Sequence, residues 1–311
     1  MMRLLGFIAI FGLFFWGSGW GLEPGFLMAQ ENPPSLSCKN NQANSLLQVI
    51  ALGDSRRPNT DAKYRILEAV LEEEPDLFIH LGDMVPASTA DFWQRFDREE
   101  GRILQAGIPF LPVVGNHEYF TESWLNETPL EPFFERFPEL NGSSWYRYTC
   151  GPLELLALDG ELGLEEGGAQ HRWLEKILQT PKEGRFRLVG VHYPPVSGMG
   201  FKSWPWKKTL FAFFANLAAG EDQQVDMVLS GHIHNYERFE RLGIHYVVSG
   251  GGGSPPNVIH NRLADDLYYG PEANYHYMRF TITPRHILGE MVRFDPETKE
   301  FEVTDAFRVT D

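Results

Sequence analysis

Short apolar runs recur along the chain, and several stop at a glycine followed by a polar residue. LLQVIALGD ends at Gly53-Asp54, PDLFIHLGD at Gly82-Asp83, and IPFLPVVGNHE at Gly115-Asn116-His117-Glu118. Runs this short, rich in branched and aromatic residues and bounded by turn formers, predict buried strands. Between them the period lengthens. Asn59 or Thr60 can cap a helix whose Ile66, Leu67, Val70 and Leu71 share one face, and a second helix is expected from about Ala90 to Ala106.

Further on, WYRYTCGPLELLALD reads as a hairpin turning at Gly151-Pro152 and finishing on Asp159. AQHRWLEKILQ is an amphipathic helix, and RFRLVGVHYPP is a strand whose end carries His192. A helix from about Lys207 to Ala219 would bury Leu210, Phe211, Phe214 and Leu217. VDMVLSGHIH then ends at His232 and His234, with later strands expected near IHYVVSGG, YHYMRFTIT, ILGEMVRF and FEVTDAFRV. No repeat or low-complexity tract interrupts the pattern, which predicts one α/β domain over 46–311 with mixed strands toward its end. The periodicity suits a two-sheet sandwich and a doubly wound sheet alike.

Composition narrows the partners. At 43% hydrophobic and 14% aromatic, the 311 residues can bury a substantial core. A net charge of −15 argues against a nucleic-acid-binding surface or an anionic-membrane patch. A small phosphorylated substrate remains compatible, because a bound cation dominates the field in its own pocket. The first thirty residues differ from the rest. Arg3 precedes an uncharged apolar run from Leu4 to Leu22, which reads as a signal peptide over 1–30, with cleavage after Ala29, and hence as periplasmic or secreted. The run is also nearly long enough to anchor the chain in a membrane uncleaved. The polar, proline-broken stretch 31–45 reads as a linker. The two cysteines, Cys38 and Cys150, permit one disulfide in an exported protein, or two separate thiols.

Five predicted strands end at residues able to ligate a metal: Asp54, Asp83, Asn116 with His117, His192, and His232 with His234. Each has an ordinary structural explanation, since Asp after Gly caps helices and Asn-His makes turns. Their shared topological place changes the argument. Side chains at the C-terminal ends of strands in α/β folds converge on one crevice. In extended or turning chain, residues i and i+2 point the same way, so His232 and His234 can face one site together.

The ordered set GD54, GD83, GNH117E, H192 and GH232IH234 resembles the calcineurin-like metallophosphoesterase superfamily. GNHE and GHIHNYER are most similar to its purple-acid-phosphatase branch, and the resemblance covers roughly residues 47–253. It implies a two-sheet β sandwich flanked by helices, with two divalent or trivalent metal ions (Fe, Mn or Zn) at the strand ends. Two metals about 3.5–4 Å apart can clamp a phosphate, activate water and stabilise a leaving oxygen. By resemblance, Asp83 bridges them, Asn116, His192 and His232 complete one, and Asp54 with His234 hold the other. His117 would act on the leaving oxygen as proton donor or electrostatic stabiliser. A metal-bound hydroxide would then attack phosphorus in line, with no covalent enzyme intermediate.

The first motif departs from the pattern. It reads GDSR, so Arg56 stands where most of the superfamily has a ligating histidine. The purple acid phosphatases place a tyrosine three residues after the bridging Asp, and here that residue is Pro86. A guanidinium keeps its protons and has no lone pair for a cation. Arg56 therefore reads either as a phosphate-binding catalytic residue or as a structural partner of nearby carboxylates, and no iron–tyrosinate centre is expected. The glycine- and aromatic-rich stretch 197–206 reads as a leaving-group wall or an anchored surface loop, and NYER after His234 as residues orienting that loop. Two functions follow. One is an exported metal-dependent phosphomonoesterase or phosphodiesterase. The other is a metal-degenerate protein that binds a phosphorylated ligand or partner without turnover.

Overall fold

The computed structural model describes residues 33–38, 45–57, 60–121, 129–162, 164–199, 209–210, 212–213, 224–268 and 274–310. The N-terminal apolar run and most of the helix expected over 207–219 lie outside them.

Two mixed sheets share one core, which makes the fold a sandwich rather than a doubly wound sheet. One sheet has six strands. At one edge lie β2 (Leu47–Leu52), β3 (Leu77–His80) and β4 (Phe110–Pro112), all parallel. Next to β2 come β11 (Tyr275–Ile282), β12 (His286–Phe294) and β13 (Phe301–Thr310), all antiparallel. The other sheet runs β1 (Ser35–Ser37), β5 (Tyr146–Cys150), β6 (Leu153–Leu158), β7 (Phe186–Val191), β8 (Met227–Ser230), β10 (Ile244–Ser249), β9 (Tyr236–Arg241). Its β6, β7 and β8 are parallel and buried along their whole length, as strands covered on both faces must be. That is why they appear in the sequence as continuous apolar runs. β13, at a sheet edge, is mostly exposed, and its pattern is correspondingly weaker.

Helix α1 (Asp61–Glu72) is capped by Thr60, whose hydroxyl accepts the Lys63 amide at 3.3 Å, while Asn59 lies outside the described residues. It buries Ile66, Leu67 and Val70, as its period requires, with Leu71 partly covered. The single helix expected over 90–106 is two, α2 (Ala90–Arg98) and α3 (Gly101–Gln105). The break has a cause. Glu99 and Glu100 turn inward to Lys63 Nζ at 2.6 and 2.9 Å, and a buried ammonium with two carboxylates outweighs one more helical turn. The remaining described helices of this type are α4 (Glu131–Arg136) and α5 (Ala169–Leu178), the second as its amphipathic pattern predicts.

Two further differences concern strands. Part of the stretch expected as a linker is edge strand β1, paired in parallel with β5 and followed by a Cys38–Cys150 disulfide. Leu36 packs against the core there, which a polar, proline-rich composition conceals. β9 lies outside the expected strands, because its adjacent charged pairs Glu237-Arg238 and Glu240-Arg241 break the period of two. It forms a hairpin with β10 across Leu242-Gly243, both with positive φ (54° and 75°).

Candidate metal centre

The expected residues leave the two sheets at one place. Asp54, Asp83 and Asn116 follow parallel neighbours β2, β3 and β4 of one sheet, and His192 and His232 follow parallel neighbours β7 and β8 of the other. Asp54, Asp83 and His232 all have left-handed backbone, with φ of 63°, 60° and 68°. Non-glycine residues seldom take that conformation, and clusters of them mark sites where backbone strain is held by the surroundings. Close approach does the rest. A Cβ on Gly115 would lie 2.4 Å from the Asp83 amide nitrogen, and one on Gly250 would lie 2.1 Å from the Ile233 carbonyl oxygen. Glycine at these positions lets the loops touch.

One half of the site converges on donor atoms. Asp83, His192 and His232 each offer a ligand atom within 4.8 Å of the others. His192 Nε2 is 3.3 Å from Asp83 Oδ1, 3.2 Å from Asn116 Oδ1 and 3.2 Å from His232 Nδ1. The Leu81 carbonyl accepts from His192 Nδ1 at 2.7 Å, which turns the lone pair of Nε2 toward this cluster. Burial works against a charge on His192, but the Asp83 and Asp54 carboxylates outweigh it and raise its pKa. Burial, joined by the neighbouring His192 charge, pushes His232 down to about 2. His192 Nε2 and His232 Nδ1 face each other at 3.2 Å beside two side-chain oxygens, a donor set that suits a borderline cation with N and O ligands. Asp83 is kept ionised. Burial opposes its charge, but His192, His117 and Arg56 together hold its pKa below the ordinary value.

The other half is arranged differently. Asp54 and Arg56 lie two apart, with Ser55 between them directed inward to His80 Nε2 (2.8 Å) and to Glu100. Ser55, His80, Glu100, Lys63 and Glu99 form a buried polar network beneath the loop. On the site side, His234 Nε2 is 3.4 Å from Asp54 Oδ1, and His234 Nδ1 is fixed by the Pro255 carbonyl at 2.9 Å. Asp54 Oδ1 is buried and accepts no hydrogen bond, as befits an oxygen meant for a cation. The cation beside it is Arg56. Its Nη1 donates to Asp83 Oδ2 and lies 3.6 Å from Asp54 Oδ1. These residues fit a single metal at the histidine pair better than a second one at Asp54.

His117 borders both halves, with Nε2 3.7 Å from Asp83 Oδ2. The Pro86 carbonyl accepts from its Nδ1 at 2.6 Å, and its amide donates to Asp83 Oδ1 at 3.0 Å. Burial lowers its pKa, against the pull of Asp83.

Sequence reasoning missed Glu118 as a site residue. Its buried carboxylate accepts the amides of Gly115 (2.8 Å), Asp83 (2.9 Å), Met84 (2.8 Å) and Val85 (3.3 Å), tying the second and third loops together. Burial, reinforced by the Asp83 charge, raises its pKa. The signal was its place as the last residue of GNHE, three residues after Gly115. Tyr193 was also missed. Its ring lies 4.9 Å from that of His232, and its hydroxyl donates to Glu161. Glu237 of NYER accepts from Ser197 Oγ and the Gly198 amide, each at 2.6 Å, so it anchors the start of the 197–206 stretch. Residues 200–206 lie outside the described residues.

The family model for calcineurin-like phosphoesterase matches residues 47–236, more than half of the chain, and the chain belongs to that family. It is 25% identical over 266 residues to a nucleotide pyrophosphatase/phosphodiesterase of Hordeum vulgare, covering 68% of this chain and 70% of that one. It is 25% identical over 205 residues to purple acid phosphatase 15 of Arabidopsis thaliana, and there the match spans 58% of this chain but only 35% of the relative. Among solved structures, a purple acid phosphatase from yellow lupin (Lupinus luteus) seeds superposes with a TM-score of 0.61 at 18% identity, over 87% of this chain and 55% of that one. That likeness supports the sandwich fold, the sequence relatives support the purple-acid-phosphatase-like branch, and the family implies a dinuclear metal centre.

Proposed function

We propose that the chain is an exported, metal-dependent hydrolase of phosphate esters. The observation that carries this reading is the convergence of Asp83, His192 and His232 donor atoms within 4.8 Å, with Asn116 Oδ1 alongside. These four residues would hold a metal, which would supply Lewis-acid polarisation of a phosphoryl oxygen and lower the pKa of water. The chain's own groups do the remainder. Asp83 stays anionic between the two halves. Arg56, a fifth exposed, offers N–H donors to phosphoryl oxygens, held by Asp83 and by Asp54, whose Oδ1 also lies 3.4 Å from His234 Nε2. His117, oriented by the Pro86 carbonyl, delivers a proton to the leaving oxygen. An arriving phosphate anion favours the protonated imidazole, opposing the effect of burial. The apolar segment Leu4–Leu22 supports export.

The test uses protein purified without chelators and assayed on 4-nitrophenyl phosphate and bis(4-nitrophenyl) phosphate. Hydrolysis that disappears with EDTA and returns with Mn²⁺, Zn²⁺ or Fe²⁺ is the expected result. Folded protein that turns over neither ester with any of these metals sinks the reading. One observation favours a second reading, binding without turnover: the guanidinium of Arg56 rests on Asp83, the carboxylate most needed for metal. Phosphate binding by a catalytically silent protein would support it.

A further inference from the structure

A bridging carboxylate serves two cations by giving one oxygen to each, and Asp83 is divided in that way. Its Oδ1 lies 3.3 Å from His192 Nε2, on the side of the donor cluster. Its Oδ2 accepts from Nη1 of Arg56. The same Nη1 is 3.6 Å from Asp54 Oδ1, which in turn lies 3.4 Å from His234 Nε2. The guanidinium therefore stands against Asp83 and Asp54, two of the three groups that the family pattern reserves for a metal ion, and the third, His234, lies on the same Asp54 oxygen. A metal bound to Asp83 Oδ2 would sit about 2.0–2.2 Å from that oxygen, in space that Nη1 fills. Arginine cannot vacate the claim by losing its proton, and it has no lone pair with which to join a coordination shell.

We infer that Arg56 takes the place of one of the two metal ions, leaving a centre of one metal and one guanidinium. This rests on the hydrolase reading only for the expectation of a metal at the histidine pair. Asp54 and His234 then serve as positioning residues for Arg56 rather than as ligands. Asp54 keeps the carboxylate charge that a cation needs, and the arginine supplies a fixed single positive charge in place of a double one. What is lost is a Lewis acid. What is gained is a planar fork of donors, a fifth exposed, that reads two phosphoryl oxygens at once.

The decisive measurement is metal per chain. Full-length wild type, Arg56→His and Arg56→Ala are saturated with Mn²⁺, freed of loose metal by gel filtration, and compared by native mass spectrometry and elemental analysis. Thermal melts check folding. One equivalent is expected in the wild type and two in Arg56→His, which exchanges the guanidinium for a ligating imidazole. Arg56→Ala, which only clears the space, carries the same expectation of a second equivalent should the histidine variant fail to fold. Two equivalents in the wild type overturn the inference and leave the hydrolase reading intact. One equivalent in a wild type that cleaves no ester sinks the hydrolase reading and leaves the inference standing. No metal in the wild type overturns both, and one equivalent in the wild type and in every folded variant overturns Arg56 as the occupant.

Discussion

The two halves of the site are built on the same scaffold and come out chemically unlike. Both hang from the ends of buried parallel strands, both contain a left-handed aspartate, and both receive a histidine from the 231–234 turn. In the Asp83–His192–His232 half, the Leu81 carbonyl fixes the His192 ring, and donor atoms of the three residues face one another within 4.8 Å. In the Asp54–His234 half the corresponding space is filled by an arginine side chain. A single residue in a turn, Arg56, makes the difference. A rigid strand-end crevice thus fixes where charge is needed without fixing whether a metal or a side chain supplies it.

Mutation should separate the halves. Asp83→Asn and His192→Ala each remove a donor from the converging half, and both are expected to abolish ester hydrolysis and metal retention with the fold intact. Near wild-type turnover in either would remove the basis for the metal assignment. His117→Ala should keep its metal and lose roughly 10²–10⁴-fold in kcat, the range for a general acid–base group. If metal is lost instead, His117 is a ligand. In the arginine half, Arg56→Ala held at one equivalent of metal should lower kcat/KM about 10- to 150-fold, the equivalent of about 1.5–3 kcal/mol for a hydrogen bond to a charged group. Inhibition by inorganic phosphate should weaken alongside. Unchanged inhibition would leave Arg56 without a role in phosphate binding. Glu118→Gln replaces an all-acceptor carboxylate facing four backbone amides with a group that is half donor. Metal affinity at the converging half should fall about 10- to 100-fold, as for other residues that support ligands, while phosphate inhibition changes little. A Mn²⁺ titration matching wild type would show that the Glu118 contacts do not position Asp83.

Much of this was legible in the chain. The apolar runs ending at Gly53, Gly82 and Gly115 located three of the loops, and His192 and the His-x-His pair located the other two. The break in pattern at Arg56 was equally visible. Its partner was not, because an arginine beside two aspartates can turn to solvent, to substrate or to either carboxylate. Glu99 and Glu100 fall inside the single helix expected from about Ala90 to Ala106, and their packing on Lys63 explains the break between α2 and α3. Glu118 was visible as the last residue of GNHE, but its four amide partners come from two loops and depend on the fold.

By itself the sequence determined the strand ends and the residue types set on them, because strand length, apolar period and turn chemistry are local properties written in contiguous residues. The tertiary structure decided which sheet each strand joined, and that β1, within a polar stretch, closed an edge and a disulfide against β5. It also decided that Nη1 of Arg56 settled between Asp83 and Asp54. Those outcomes depend on groups 27 or 112 positions apart meeting in a buried space, where a charge must find its counter-charge and the nearest one is set by packing.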